Sequence, residues 1–469
     1  MKKEILRIHD FNMEYSSTVK LTNISMSLMA GECIGFLGLM NSGKNLLVDI
    51  LCKGENLNQR SFYVNQRIVN CADIQKSVYR IATSNYLIDN WTVGEYICLD
   101  SVSSILGIYW KNRLAAKTEL FLKHLKLDID VNKKLGDLSG LEKRLIDLVK
   151  AYSLEKKIIV IEDEFQGCSI EDIKQFKEVL NRVINNRMVV IINSHSDYVS
   201  NILSDKYIIF KKGYIVKKCN KEYIKDNNHL EKFLLGARIT SKKKDLDSYK
   251  NEQNIISQVI YSVKNVRLKI RDDIHLDFAK SEVVTILILD VNEKEQFFDL
   301  ISGRYIDKYM KIYLEQNICN FSNVTDFVKK KIVSIADMGG VDELLLSMSD
   351  GDNLWIPSLD KISSLQYIFS QHRMDKMLKK QMKGNIEETG NDIKNMSIND
   401  HIILLLERWY IYKPKVLILL EPFVHCDIYG VSLVKSYIKK FTSLGTTVII
   451  VKSREEYIAD ISDRIIHIK

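Results

Sequence analysis

Gly38-Leu39-Met40-Asn41-Ser42-Gly43-Lys44-Asn45 follows the apolar run Cys33-Ile34-Gly35-Phe36-Leu37 and precedes the helix-period stretch Leu46-Leu47-Val48-Asp49-Ile50-Leu51. A strand feeding a glycine-bearing turn that opens a helix aims several backbone N–H groups and the positive helix end at one spot, where a triphosphate can sit. Lys44 then reaches the outer phosphates. The next residue in such a loop is ordinarily Ser or Thr, whose hydroxyl ligates Mg2+, and here it is Asn45. The stretch predicts a nucleotide site with weakened metal chemistry. The competing reading is an ordinary Gly-containing strand-to-helix turn with a surface lysine, so the other parts of the site have to decide.

The chain has 469 residues, 46% of them hydrophobic, enough to bury more than one core. Its net charge of +8 is carried mostly by scattered lysine. The runs Lys242-Lys243-Lys244 and Lys329-Lys330-Lys331 read as solvated faces or linker before they read as nucleic-acid patches. Only three prolines occur, which excludes long Pro-rich linkers. The eight cysteines lack C-x-x-C spacing and several sit in apolar runs, as expected of buried free thiols in a reducing compartment. No basic stretch followed by an apolar one opens the chain, and no run approaches the roughly 18 apolar residues of a membrane span. A cytoplasmic protein is expected, one that reaches the inner face of the cell membrane through a partner.

An internal repeat organises the chain. Lys157-Ile158-Ile159-Val160-Ile161-Glu162-Asp163-Glu164-Phe165 has a counterpart in Lys415-Val416-Leu417-Ile418-Leu419-Leu420-Glu421-Pro422-Phe423. Each is followed by a second β-rich run, Met188 to Ser194 with His195 and Thr446 to Val451 with Lys452-Ser453-Arg454, and each half closes on a similar phrase around Ser204-Asp205 or Ser462-Asp463. The counterpart of the Gly38 loop is Ile288-Leu289-Asp290-Val291-Asn292-Glu293-Lys294 after the strand Val283 to Leu287, and it has no glycine. Without residues that tolerate close backbone approach the second half cannot wrap a phosphate. Residues 1–236 are expected to form a first domain, the polar stretch 237–254 a linker, and 255–469 a second, degenerate domain. Each has helix-period sequence between its loop unit and its acidic strand, roughly Trp91 to Leu135 and Asn353 to Ile393, so each reads as a parallel α/β core with a helical insertion.

The pattern resembles the ATP-binding cassette ATPases, specifically the tandem ATP-binding subunits of ribose- and galactose-type sugar importers. Leu138-Ser139-Gly140-Leu141-Glu142-Lys143 is similar to their first signature motif, and Met396-Ser397-Ile398-Asn399-Asp400-His401 falls where they carry the second. The resemblance implies two tandem P-loop NTPase domains, each a RecA-like α/β core with an antiparallel β subdomain. It also implies that the halves pair within the chain, with each nucleotide held between one half's loop and the other's signature. ATP would then be held by Tyr15, Gly38, Asn41, Ser42, Gly43, Lys44 and Asn45 with Ser397, and Ser139 and Gly140 would be the first half's own signature residues.

For hydrolysis the resemblance implies an acid for Mg2+, an adjacent acid to polarise water, and a histidine at the γ-phosphate: here Glu162, Asp163 and His195, with Asn45 and Glu162 as a weak Mg2+ site. The two acids stand in exchanged order, and a displacement of about 1 Å can cost on the order of 100-fold in rate. A slip of one residue would make Asp163 and Glu164 the pair; the repeat favours the exchanged reading. The glutamine loop falls near Ala82-Thr83-Ser84-Asn85 and lacks its glutamine. Lys294, Leu420, Glu421 and Arg454 occupy the loop-lysine, metal, water-polarising and switch positions of the degenerate second site. Three functions follow in order: an importer ATPase subunit working with membrane permease subunits and reduced hydrolysis, a nucleotide-binding regulator or adaptor without turnover, and a ribosome-associated tandem cassette protein. The short linker argues against the last, and no nucleic-acid partner is expected.

Overall fold

The computed structural model describes residues 3–15, 19–54, 61–82, 88–98, 111–184, 187–194, 197–224, 258–269, 271, 273–339, 343–359, 363–364, 368–369 and 396–468. The chain divides into two compact units, Met1–Lys250 and Asn251–Lys469. The expected linker 237–254 lies outside the described residues.

The first unit opens with strands β1 (Glu4–Glu14), β2 (Lys20–Met29) and β3 (Cys33–Leu37), then helix α1 (Lys44–Lys53). There follow β4 (Phe62–Val64), β5 (Arg67–Ile68), α2 (Cys71–Ser77), β6 (Val78–Ala82), α3 (Val93–Cys98), α4 (Lys111–Leu125) and α5 (Gly140–Ser153). It ends with β7 (Ile158–Glu162), α6 (Ile170–Ile184), β8 (Val189–Ile192), α7 (Asp197–Leu203), β9 (Lys206–Lys211) and β10 (Tyr214–Asn220). One sheet has the order β2-β1-β4-β5 and is antiparallel; the other runs β10-β9-β3-β8-β7-β6, parallel except at the β9/β10 hairpin.

Strands covered on both faces read as unbroken apolar runs, and each successive side chain enters the opposite layer. Ile158 and Val160 of β7 pack with Ile34 and Phe36 of β3 against the antiparallel sheet and the Leu47, Val48 and Leu51 side of α1. Ile159 and Ile161 point the other way, to Leu145, Ile146 and Val149 of α5 and Phe176 of α6. This three-layer arrangement leaves the ends of β3, β7 and β8 at one edge of the core, where the loop residues stand.

The second unit repeats the plan: β11 (Val259–Val266), β12 (Ile274–Ala279), β13 (Val283–Leu287), α8 (Val291–Ser302), β14 (Lys311–Leu314), β15 (Asn317–Cys319), α9 (Val324–Lys329) and β16 (Ile332–Ile335). After α10 (Asp350–Trp355) and the short pair β17 (Ser363–Ser364) and β18 (Ile368–Phe369) come α11 (Ile398–Tyr412), β19 (Val416–Leu420), α12 (Ile428–Ser443), β20 (Thr447–Lys452) and β21 (Arg464–His467). Its sheets, β12-β11-β14-β15 and β16-β19-β20-β13-β21, match those of the first unit strand for strand, with no counterpart of β10 among the described residues. The internal repeat is thus a repeat of topology. The helical insertion is present in the first unit as α3 and α4. In the second the expected stretch, Asn353 to Ile393, lies mostly outside the described residues.

Candidate functional site

Between β3 and α1 the chain spends six residues, 38–43, on a turn whose geometry only glycine allows at two points. Gly43 has φ +92° and is the residue before α1, and a Cβ there would lie 2.9 Å from the Lys20 carbonyl oxygen. A Cβ on Gly38 would lie 2.7 Å from the Phe210 carbonyl oxygen. The loop is pinned from the side by the β9/β10 turn, whose Gly213 N–H donates to the Ser42 carbonyl at 2.9 Å. Asn41 is exposed, Ser42 is buried, and the first N–H groups of α1 have no intrahelical acceptor, so they face whatever the loop holds.

Lys44 is the first residue of α1 and is 2% exposed. Its Nζ donates to the Ser194 carbonyl at 3.1 Å, and the Ser194 hydroxyl donates to Glu164 Oε2 at 2.7 Å. Beside it runs a polar chain. Asn193 Nδ2 donates both to Asn45 Oδ1 at 3.1 Å and to Glu162 Oε1 at 2.8 Å, and Glu162 Oε2 pairs with Arg80 Nε at 2.5 Å. The structure therefore brings Lys44, Asn45 and Glu162 together as expected. It adds Arg80 and Asn193, which the sequence reading missed. Tyr15 stands at the end of β1 and is 71% exposed, so it is not a core tyrosine. His195 and the loop residues 83–85 lie outside the described residues.

Asp163, the acid expected to polarise water, is buried beside an arginine. Its Oδ1 accepts from Arg144 Nε at 3.2 Å, Arg144 Nη2 at 2.8 Å and the Phe165 N–H at 2.6 Å, and the residue is 1% exposed. Its other oxygen, Oδ2, is buried without a hydrogen-bond partner. The backbone explains the departure from its repeat partner Glu421: the left-handed residue after β19 is Glu421 itself (φ 41°), whereas after β7 it is Phe165 (φ 53°). The cation explains it too. Five residues after the capping serine the first unit has Arg144, and the second has the buried Ile402. That difference is the signal that could have found the pair.

Ser139 and Ser397 both cap their helices. The Ser139 hydroxyl accepts from the Glu142 N–H at 3.2 Å while Glu142 returns the bond to the Ser139 N–H at 2.8 Å, and Ser397 does the same with Asp400. Burial works to raise the Glu142 carboxyl, but hydrogen bonds from Ser139 and Lys133 outweigh it and hold it below its ordinary value. Gly140 opens α5, and a Cβ there would lie 2.7 Å from the Gly167 carbonyl oxygen. Ser139→Ala is expected to cost about 1 kcal/mol, read as a lower urea midpoint of the full chain.

In the second unit only three residues, 288–290, join β13 to α8. Asp290 caps that helix, its side chain accepting from the Glu293 N–H at 2.8 Å. Lys294 is 1% exposed and donates to Glu421 Oε1 at 2.7 Å and to the Ser453 hydroxyl at 2.9 Å. The lysine thus meets a carboxylate inside its own unit. Leu420 ends β19 without a donor or acceptor side chain. Arg454, the expected switch residue of the second site, has its own partner: it pairs with Glu456 at 2.7 Å.

Mg2+ would need oxygen ligands free to turn to it. Asn45 Oδ1 accepts from Asn193 and Glu162 is paired with Arg80, so these two do not fit the ion as they stand, while the buried Asp163 Oδ2 and Asn193 Oδ1 are without a hydrogen-bond partner. Among the described residues there is no cluster of three or more His, Cys, Asp or Glu side chains placed to hold a metal.

The model of the family described as "ABC transporter" matches residues 21–166, which run from β2 through the loop to the strand end at Glu162. The chain is 20% identical to the xylose import ATP-binding protein XylG of Histophilus somni, over 99% of this chain and 94% of that one. It is 23% identical to the ribose import ATP-binding protein RbsA of Caldanaerobacter subterraneus, over 98% and 94%. Among solved structures it is similar to cbiO1 of Clostridium perfringens, at 15% identity and TM-score 0.42 over 52% of this chain and all of that one. The family model over part of the first unit, the relatives over nearly the whole chain and the strand-loop-helix geometry of Gly38 to Asn45 agree in making this chain similar to the ATP-binding cassette proteins.

Proposed function

We propose that the chain is the ATP-binding subunit of an importer of the sugar class, binding ATP in its first unit with weak hydrolysis and working beneath membrane permease subunits. The observation that carries this reading is the loop itself: six residues, Gly43 at φ +92°, and Lys44 opening α1. The named activities of the relatives support the importer role, and their length supports a complete pair of cassettes. Among the described residues no helix is long and apolar enough to cross a membrane, which fits a subunit that needs a partner there.

A second reading, an ATP-binding regulator of the same fold without turnover, is favoured by one observation. Both acids at the end of β7 are engaged by arginine, Glu162 by Arg80 and Asp163 by Arg144. One experiment separates the two. Lys44→Ala removes a charge-assisted bond worth about 1.5–3 kcal/mol and should weaken ATP binding roughly 10- to 100-fold. Phosphate release by the wild type in Mg2+ above the Lys44→Ala baseline supports the importer ATPase, and a wild-type rate equal to that baseline supports the regulator. Unchanged ATP affinity in Lys44→Ala would sink both.

A further inference from the structure

The pair Arg80–Glu162 has a counterpart position in the second unit, and the counterpart is informative. The ladders pair Arg80 with Val160 in the first unit and Ser334 with Ile418 in the second. Val160 and Ile418 are repeat partners, so Ser334 stands where Arg80 stands, and Leu420 where Glu162 stands. Where the acid is absent the cation is absent too. Arg80 accompanies the strand-end acid of the one unit that keeps a phosphate loop.

The surroundings say what that cation does. Glu162 is 17% exposed at its side chain and spends Oε2 on Arg80 and Oε1 on Asn193, whose other amide hydrogen goes to Asn45. A divalent ion entering beside Asn45 would have to take Glu162 from the guanidinium and Asn45 from Asn193 together. Arg80, 44% exposed on the outermost strand of the parallel sheet, is rooted on rigid backbone and always charged.

We infer that Arg80 is a built-in cation that makes nucleotide binding by the first unit independent of divalent metal, by neutralising the acid that would otherwise repel the phosphates or require an ion. This rests on the reading of Gly38–Asn45 as a nucleotide site. The expected preference is for the metal-free polyphosphate as readily as for its Mg2+ complex.

The test is calorimetric titration of the full chain with ATP, once with excess EDTA and once with millimolar Mg2+, for wild type, Arg80→Ala and Arg80→Ala with Glu162→Gln. The wild type should show dissociation constants within about twofold of each other. Arg80→Ala exposes the Glu162 charge to the phosphates, so binding in EDTA should weaken roughly tenfold or more and recover with Mg2+. The double variant should bind equally in both buffers again, which a misfolded single variant cannot explain. Wild-type binding that requires Mg2+, or an Arg80→Ala chain indistinguishable from wild type in EDTA, overturns the assignment. No wild-type binding in either buffer overturns it by removing the nucleotide site itself.

Discussion

An Arg144→Ala chain is expected to lose about 3–5 kcal/mol of the first unit's stability, because the substitution leaves a buried carboxylate without its cation. Asp163 is 1% exposed and Arg144 4% exposed, and the guanidinium also donates to the Gly140 carbonyl at 2.9 Å, so it ties the end of β7 to the first turn of α5. The loss should appear in native-state hydrogen exchange as faster opening of β7 and α5 peptides, with the second unit's peptides unmoved. Replacing the whole pair, Arg144→Met with Asp163→Leu, should recover most of it, since apolar side chains of similar size often do as well as a buried ion pair. A single variant as stable as wild type would show that Asp163 finds water or another donor, and would favour it as the acid that polarises water.

Lys294→Ala is expected to cost the second unit a similar amount, about 3–5 kcal/mol, for the same reason: Glu421 would remain with only the Ser453 N–H at 2.8 Å from Oε1 and the nearby Lys452. The pH dependence gives the sign. Burial alone would raise the Glu421 carboxyl, but Lys294 and Lys452 beside it, with hydrogen bonds from Lys294 and Ser453, bring it below its ordinary value. The folded value lies below the unfolded one, so this stabilisation is present above the ordinary carboxylate range and is lost as pH falls through the folded value. Burial lowers Lys452 from 10.5 to about 8, and the unfolded chain then binds the extra proton between those values, so the second unit gains stability as pH rises across that window. Urea unfolding of the full chain across a pH series, followed by exchange of β19 peptides, reads both limbs. An acid limb unchanged by the double variant Lys294→Met, Glu421→Leu would show that the pair does not set it.

The frame of the fold was legible because parallel strands buried on both faces read as unbroken apolar runs: Cys33–Leu37 and Val283–Leu287 are strands to the residue. Lys44, Asn45 and Glu162 were legible because phosphate loops and strand-end acids keep fixed spacing. The partner of Asp163 was not legible because it lies on another element. Whether an acid at a strand end faces a nucleotide or a guanidinium is decided by which cation the next layer offers, and Arg144 sits nineteen residues earlier on α5. Arg80, in the middle of β6, and Asn193, just past the end of β8, were missed for the same reason: the sequence does not name their partners. The absence of a phosphate-type turn between β13 and α8 was visible as a lack of glycine, but the earlier start of the helix at Val291 was not.

That early start has a consequence of its own. Lys44 stands seven residues after Leu37 and Lys294 seven after Leu287, so both units have the same length of chain between strand and lysine. The second unit winds residues 291–293 into α8 where the first spends 41–43 on the turn that ends at the left-handed Gly43. The two units differ there in how the same span of backbone is coiled, and that choice follows residue type: a glycine in one, a run that helix accepts in the other.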